Sequence, residues 1–133
     1  MKHMKKIAIL TLIFFITQSS IAQTNKYRVV VKFGSMCCGV PSNKPLLNYI
    51  ATFKKKNKVK KIVCDNIGPM GKEGEYDMAF TLKELNKKQI EVFVKDVTAL
   101  ATTMKEQGYT NVEENVEIDK ASLGRASIQK KNL

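Results

Sequence analysis

Two segments of the chain alternate apolar and polar residues, and this alternation constrains the fold more than any other feature. One segment runs from Tyr27 to Gly34, and the other runs from Glu75 to Leu82. A period of two residues is typical of half-buried β-strands, because successive side chains point to opposite faces of a sheet. The apolar residues that we expect on one face of the first strand are Tyr27, Val29, Val31 and Phe33.

Apolar residues at helical spacing lie between and after these strands. They recur from Leu46 to Phe53 and again from Ile90 to Met104, which predicts two amphipathic helices. Asn86 and Gln89 are placed as a capping box for the second helix, and Gly108 as its stop signal. Two further apolar segments, from Val59 to Ile67 and from Val112 to Ile118, predict two more strands.

This order of elements predicts an α+β fold of ferredoxin-like βαββαβ topology. Four strands then form an antiparallel sheet, and two helices cover one of its faces. The right-handed crossover rule makes the first two strands parallel, with the third strand between them. We expect one domain over residues 23–119. Residues 120–133 are polar and basic without periodicity, so a disordered tail is predicted there.

The first 22 residues have the layout of a secretory signal peptide. A basic start is followed by an apolar run from Ile7 to Thr17 and by small residues at Ser20 and Ala22. We therefore expect a periplasmic or secreted protein whose mature chain has no membrane span. Cleavage after Ala22 would remove His3, the single histidine of the chain, and with it all imidazole chemistry. The mature protein is accordingly predicted to be no enzyme.

Two of the three cysteines stand side by side in the loop from Gly34 to Ser42. The predicted topology brings this loop to the same edge of the sheet as the glycine-rich hairpin over residues 68–74. Thiolate and thioether groups favour soft ions such as copper(I) over magnesium or calcium. The candidate metal ligands are therefore Met36, Cys37 and Cys38 in the loop, with Cys64 of the second strand as a further ligand.

The stretch Gly34-Ser35-Met36-Cys37-Cys38 resembles the Met-x-Cys-x-x-Cys loop of heavy-metal-associated domains. Those domains share this order of strands and helices, and the resemblance implies that two thiolates bind copper(I) or a similar soft ion. Met36, Cys37 and Cys38 are the residues that match. The two cysteines are adjacent here, so the peptide between them must bend to direct both sulfurs to one ion.

A second interpretation gives the cysteines a structural role only. In an oxidising compartment, Cys37 or Cys38 would form a disulfide with Cys64. The protein would then act as an interaction module. Its sheet face opposite the helices would have an apolar centre of Val30 and Ala79, a surface suited to a homodimer or a protein partner.

Nucleic acid is not an expected partner. Proteins that bind RNA on an open sheet stack its bases on aromatic side chains. The outward positions of the third strand here hold no aromatic residue: they are Glu75, Asp77, Ala79 and Thr81.

Overall fold

The computed structural model describes residues 23–133, and the predicted signal peptide over residues 1–22 lies outside the described residues. The described part of the chain has two α-helices, and a 3-10 helix lies between its last two strands. The elements in chain order are β1 (Thr24–Ser35), α1 (Lys44–Asn57), β2 (Val63–Met70), β3 (Glu75–Phe80), α2 (Lys87–Ala101), β4 (Gly108–Asp119), the 3-10 helix (Lys120–Leu123) and β5 (Ser127–Asn132). None of the helices between residues 23 and 133 has the length and apolar character needed to cross a membrane.

The sheet has five strands in the order β4-β1-β3-β2-β5, and all neighbours are antiparallel. The predicted four-stranded ferredoxin-like layout is therefore wrong, and so is the predicted disordered tail. Ser127–Asn132 forms a fifth strand on β2, from the pair Gly68–Ser127 to the pair Val63–Asn132. The polar sequence of β5 shows no apolar alternation that would predict a strand, because an edge strand exposes most of its side chains and buries few.

The two helices cover one face of the sheet and form the main core with it. Phe93 of α2 lies at its centre, with ring centroids 5.3 Å from Phe53 and 5.7 Å from Phe80. The predicted capping box is confirmed: Asn86 accepts a hydrogen bond from the Gln89 backbone, and Gln89 accepts one from the Asn86 backbone. This capping box determines the residue at which α2 begins.

The opposite face of the sheet is covered by the chain itself. Residues 120–126, which we call the strap, lead across this face from β4 at one edge to β5 at the other. A second apolar cluster lies beneath the strap, with Leu123 and Ala126 packed against it. Val30 and Ala79 are only 0% and 1% exposed. The open apolar face predicted for a homodimer or partner therefore does not exist, since the strap occupies it.

Tyr27 belongs to this second cluster, although simple alternation places it with Val29 in the main core. Its hydroxyl donates a 2.9 Å hydrogen bond to Asp65 on β2. On the facing strand, Asn115 has a φ of 54°, in the left-handed region. This irregularity stands beside the point where β1 changes the face that it buries, which strict alternation cannot predict.

Candidate functional site: a pair of adjacent thiols

The thiol loop, residues 36–39, begins where β1 leaves the sheet. The last pair between β1 and β4 is Ser35 with Gly108. A Cβ atom at Gly108 would collide with the carbonyl oxygen of Gly34, and one at Gly34 would collide with the ring of Tyr109. Both glycines are thus required for the close approach of the two strands. Gly108 starts β4 and does not stop α2 as predicted, since that helix ends at Ala101.

The two adjacent thiols converge instead of pointing apart. The Cys38 thiol donates a hydrogen bond to the Cys37 Sγ, and the two sulfur atoms are 2.7 Å apart. Gly39 follows with a φ of 128°, a conformation that glycine adopts readily, so the chain turns directly after the pair. Both cysteines are exposed, and the Met36 side chain beside them is 77% exposed. Three sulfur-bearing side chains are therefore accessible in one short loop.

The electrostatic surroundings of the pair favour a cation. The hydrogen bond with Cys38 raises the pKa of Cys37 above its ordinary value, and partial desolvation and the charge of Glu73 add to the rise. Glu73 lies in the hairpin between β2 and β3, and the pairing of Phe33 with Tyr76 confirms that this hairpin and the thiol loop meet at one end of the sheet. A carboxylate that disfavours a second negative charge at the sulfurs attracts a positive ion to the same place.

Cys64 does not belong to this site, and its predicted role as a metal ligand is wrong. Its side chain is 0% exposed in the main core, where burial raises the pKa of the thiol to about 12. Cys64 lies level with Phe80 and Val29 across the sheet. Val29 is six residues from Ser35, which corresponds to about 20 Å along the strand.

A disulfide between the thiol loop and Cys64 is excluded by the same geometry, because a disulfide needs Cα atoms within about 7 Å. All three cysteines are free in the part of the chain that the structure describes. That part contains no cluster of three or more His, Cys, Asp or Glu side chains arranged to hold a metal. The donors that the chain offers in the loop are therefore Cys37, Cys38 and Met36.

The sequence interpretation missed Glu73 as a neighbour of the thiols. A signal for it was present, since the predicted topology already placed the hairpin over residues 68–74 beside the loop. Two acidic residues stand near its tip, Glu73 in the hairpin and Glu75 at the start of β3. Which of them approaches Cys37 depends on the shape of the turn, and sequence spacing does not fix that shape.

Asp77 lies on the face of the sheet opposite the helices, which we call the second face. It is near the end of the sheet where the thiol loop begins. It lines a depression of about 310 Å³ together with Gly34 and Tyr109. Burial raises the pKa of Asp77 to about 6; the charge of Lys32 opposes the rise, and that of Glu113 adds to it. The folded protein therefore carries an unfavourably placed carboxylate at neutral pH.

We expect the variant Asp77→Asn to be more stable than the parent protein at pH 7. Since the folded pKa is higher than the unfolded one, the parent gains stability as pH falls from about 6 to about 4, and the advantage of Asn disappears over that range. A pKa shift of this size changes the free energy of unfolding by about 3 kcal/mol when the group is fully buried. Solvent screening of the partly exposed Asp77 reduces the gain to about 1 kcal/mol.

Urea unfolding at pH 7 and at pH 4 measures this difference. The exposed variant Glu106→Gln removes the same charge elsewhere and is the control, with an expected change within about 0.5 kcal/mol. A stabilisation by Asn that is equal at both pH values would contradict the assignment.

Comparisons of the chain with protein-family models, with curated proteins and with solved structures found no match. The resemblance of Met36, Cys37 and Cys38 to the loop of heavy-metal-associated domains therefore stays a prediction from the sequence.

Proposed function

We propose that this protein is an exported, non-enzymatic binding protein for a soft metal ion such as copper(I), which it holds through Cys37 and Cys38. The observation that carries the proposal is the convergence of the two exposed sulfurs, which lie 2.7 Å apart. Two metal–sulfur bonds of roughly 2.3 Å place the sulfurs about 4 Å apart, so both exposed side chains must rotate and separate to admit one ion.

The chemistry of the donors supports a soft ion over a hard one. Thiolate and thioether sulfurs select copper(I) and related ions, whereas magnesium and calcium prefer oxygen. Met36 stands next to the pair with an exposed thioether, so it is a suitable third ligand. Glu73 adds a negative charge that compensates part of the charge of the ion.

Proton release accompanies binding in this proposal. A thiol must lose its proton to become a strong metal ligand, and the pKa of Cys37 is raised. A thiophilic ion supplies the driving force, since it competes with protons for the sulfurs. The exposure of both cysteines leaves the ion open to exchange with a donor or an acceptor molecule.

The double variant Cys37→Ser, Cys38→Ser tests the proposal. We expect its affinity for copper(I) to fall by at least about 100-fold, because the hydroxyl groups that remain are poor ligands for a soft ion. The affinity is measured by competition with a chromophoric copper(I) chelator under anaerobic conditions. Both sites are exposed, so the thermal unfolding curve of the metal-free variant should match that of the parent.

Two further variants show which sulfurs take part. Cys64→Ala removes a thiol that is buried away from the loop and should leave the copper(I) affinity unchanged. Met36→Leu preserves the size of the side chain but not the sulfur, and we expect a loss of about tenfold. A double variant that still binds copper(I) as tightly as the parent would refute the site, and so would a loss of affinity in a folded Cys64→Ala variant.

A further inference from the structure

A cleft of about 790 Å³ lies on the second face, at the end of the sheet remote from the thiol loop. It lies beside the start of the strap, and its walls include Tyr27, Asp65 and Lys130. A smaller recess of about 220 Å³ shares Asp65 and Lys130 with it and adds Glu84. Tyr27 is eight residues from Ser35 along β1, which places the cleft about 26 Å from the thiol loop.

Two carboxylate oxygens beside the recess have no hydrogen-bond partner. Asp65 accepts a 2.9 Å hydrogen bond from the Tyr27 hydroxyl at one oxygen, and its other oxygen, Oδ1, is buried and unpartnered. Oε2 of Glu84 is buried and unpartnered in the same way. Buried polar atoms are nearly always hydrogen bonded, because leaving one without a partner costs about 1–3 kcal/mol. Two such acceptors on one recess indicate that a donor group belongs there.

The cleft also contains ammonium groups that no carboxylate neutralises. Lys26 forms a 2.7 Å ion pair with Glu117, and Lys120 donates a 2.9 Å hydrogen bond to the side chain of Gln23. Lys83 and Lys130 line both the cleft and the recess, and within residues 23–133 neither forms an ion pair. Lys120 keeps its charge as well, since its partner is a neutral amide, but only Lys83 and Lys130 line the recess that holds the two unpartnered acceptors.

We propose that this cleft binds a small carboxylate that also carries hydrogen-bond donors, the chemistry of a hydroxy acid or an amino acid. Lys83 and Lys130 hold the carboxylate, and Asp65 and Glu84 accept hydrogen bonds from hydroxyl or ammonium groups of the ligand. Both lysines are exposed, so their flexible side chains can reach a ligand in the cleft, and binding must displace the groups that cover Asp65 Oδ1 and Glu84 Oε2.

The arrangement requires both kinds of group in one molecule. A plain anion satisfies the lysines but leaves the two oxygens without donors, and a neutral polyol satisfies the oxygens but leaves the lysines without a counter-charge. Charge-assisted hydrogen bonds are roughly twice as strong as neutral ones, so the carboxylate supplies much of the affinity. The donor groups then set which carboxylate binds.

Four probes test this requirement on protein expressed from residues 1–133. D-glucuronate and L-serine combine a carboxylate with hydrogen-bond donors. Acetate has a carboxylate but no donor, and methyl glucoside has donors but no carboxylate. Calorimetry or saturation-transfer NMR measures each dissociation constant. We expect glucuronate or serine to bind at least about tenfold more tightly than acetate and methyl glucoside, as one retained charge-assisted hydrogen bond implies. The tighter of the two separates a hydroxy-acid ligand from an amino-acid ligand. Equal binding of all four probes, or no binding, would overturn the proposal.

A double variant at the two lysines locates the binding. Lys83→Gln, Lys130→Gln removes the two charges that line both the cleft and the recess and should weaken binding of the preferred probe by at least about tenfold. The matched control Lys72→Gln, Lys95→Gln removes the same charge from exposed positions outside the cleft and should leave the affinity unchanged. Equal affinities of the two double variants would overturn the assignment to this cleft. Copper(I) binding at Cys37 and Cys38 is measured separately, so failure of one site leaves the other unaffected.

Discussion

Removal of residues 120–133 is expected to abolish cooperative folding, although their composition is that of a dispensable tail. These residues contribute the strap, which covers the second face, and β5, which pairs with β2. Ile62 and Leu133 extend that pairing through two backbone hydrogen bonds of 3.1 and 3.0 Å. Truncation would turn β2 into an unpaired edge and expose Val30 and Ile67, which are both 0% exposed in the intact protein.

The energies involved are comparable to the stability of the whole protein. Burial of a large aliphatic side chain contributes about 1.5–3 kcal/mol. Val30 and Ile67 would lose their cover, and Leu123 and Ile128, which provide it, would be absent. The summed loss reaches the lower part of the about 5–15 kcal/mol that keeps a small domain folded. We therefore expect no sharp thermal transition for the truncated chain and a tendency to aggregate through β2.

Circular dichroism melting and size-exclusion chromatography measure this outcome. A point variant keeps the chain length: Ile128→Thr should destabilise the protein by about 1–2 kcal/mol, because a partly buried aliphatic side chain is lost. Gln129→Thr, at the neighbouring exposed position on β5, is the control and should lie within about 0.5 kcal/mol of the parent. A truncated chain that melts as sharply as the parent would show that strap and strand are dispensable.

Replacement of Phe93 by alanine is expected to cost about 3–5 kcal/mol, the range for removing a fully buried aromatic ring. Phe93 is 0% exposed. Its ring centroid lies 5.7 Å from Tyr49, 5.3 Å from Phe53 and 5.7 Å from Phe80. This one side chain thus joins α2 to α1 and to β3, and its loss leaves a cavity where three elements meet.

Urea unfolding gives the free energy, and Val92→Ala is the matched control. Val92 precedes Phe93 in α2 and is 43% exposed, so its truncation should cost less than about 1 kcal/mol. Since a short connection links the thiol loop to α1, which begins at Lys44, the variant also tests whether copper(I) binding depends on core packing. A cost below about 1 kcal/mol for Phe93→Ala would contradict the central position assigned to this ring.

Local patterns in the sequence predicted the strands and the helix start that short-range interactions determine. The alternation from Tyr27 to Gly34 and from Glu75 to Leu82 located β1 and β3, and Asn86 with Gln89 located the start of α2. The fifth strand was missed because Ser127–Asn132 contains a single apolar residue, Ile128. Its strand conformation comes from pairing with β2, a contact over roughly 60 residues of chain that no local period encodes.

The candidate site was likewise predicted from the sequence only in part. Met36, Cys37 and Cys38 are neighbours in the chain, so the sequence alone places them together. Cys64 was grouped with them because the register and the depth of β2 follow from long-range pairing, which puts this residue in the core. The cleft was not predicted at all, because Tyr27, Asp65, Lys83 and Lys130 come from four separate parts of the chain.

The pairing of β5 with β2 has a consequence for how the protein folds. Ser127–Asn132 follows the other four strands in the chain, so β2 gains its outer neighbour only when the last strand docks. Until Ser127–Asn132 has paired with β2, the folding chain presents an open strand edge beside uncovered Val30, Ile67 and Ala79. Such an edge is a template for pairing with other chains, so completion of the sheet by β5 also protects the protein from association.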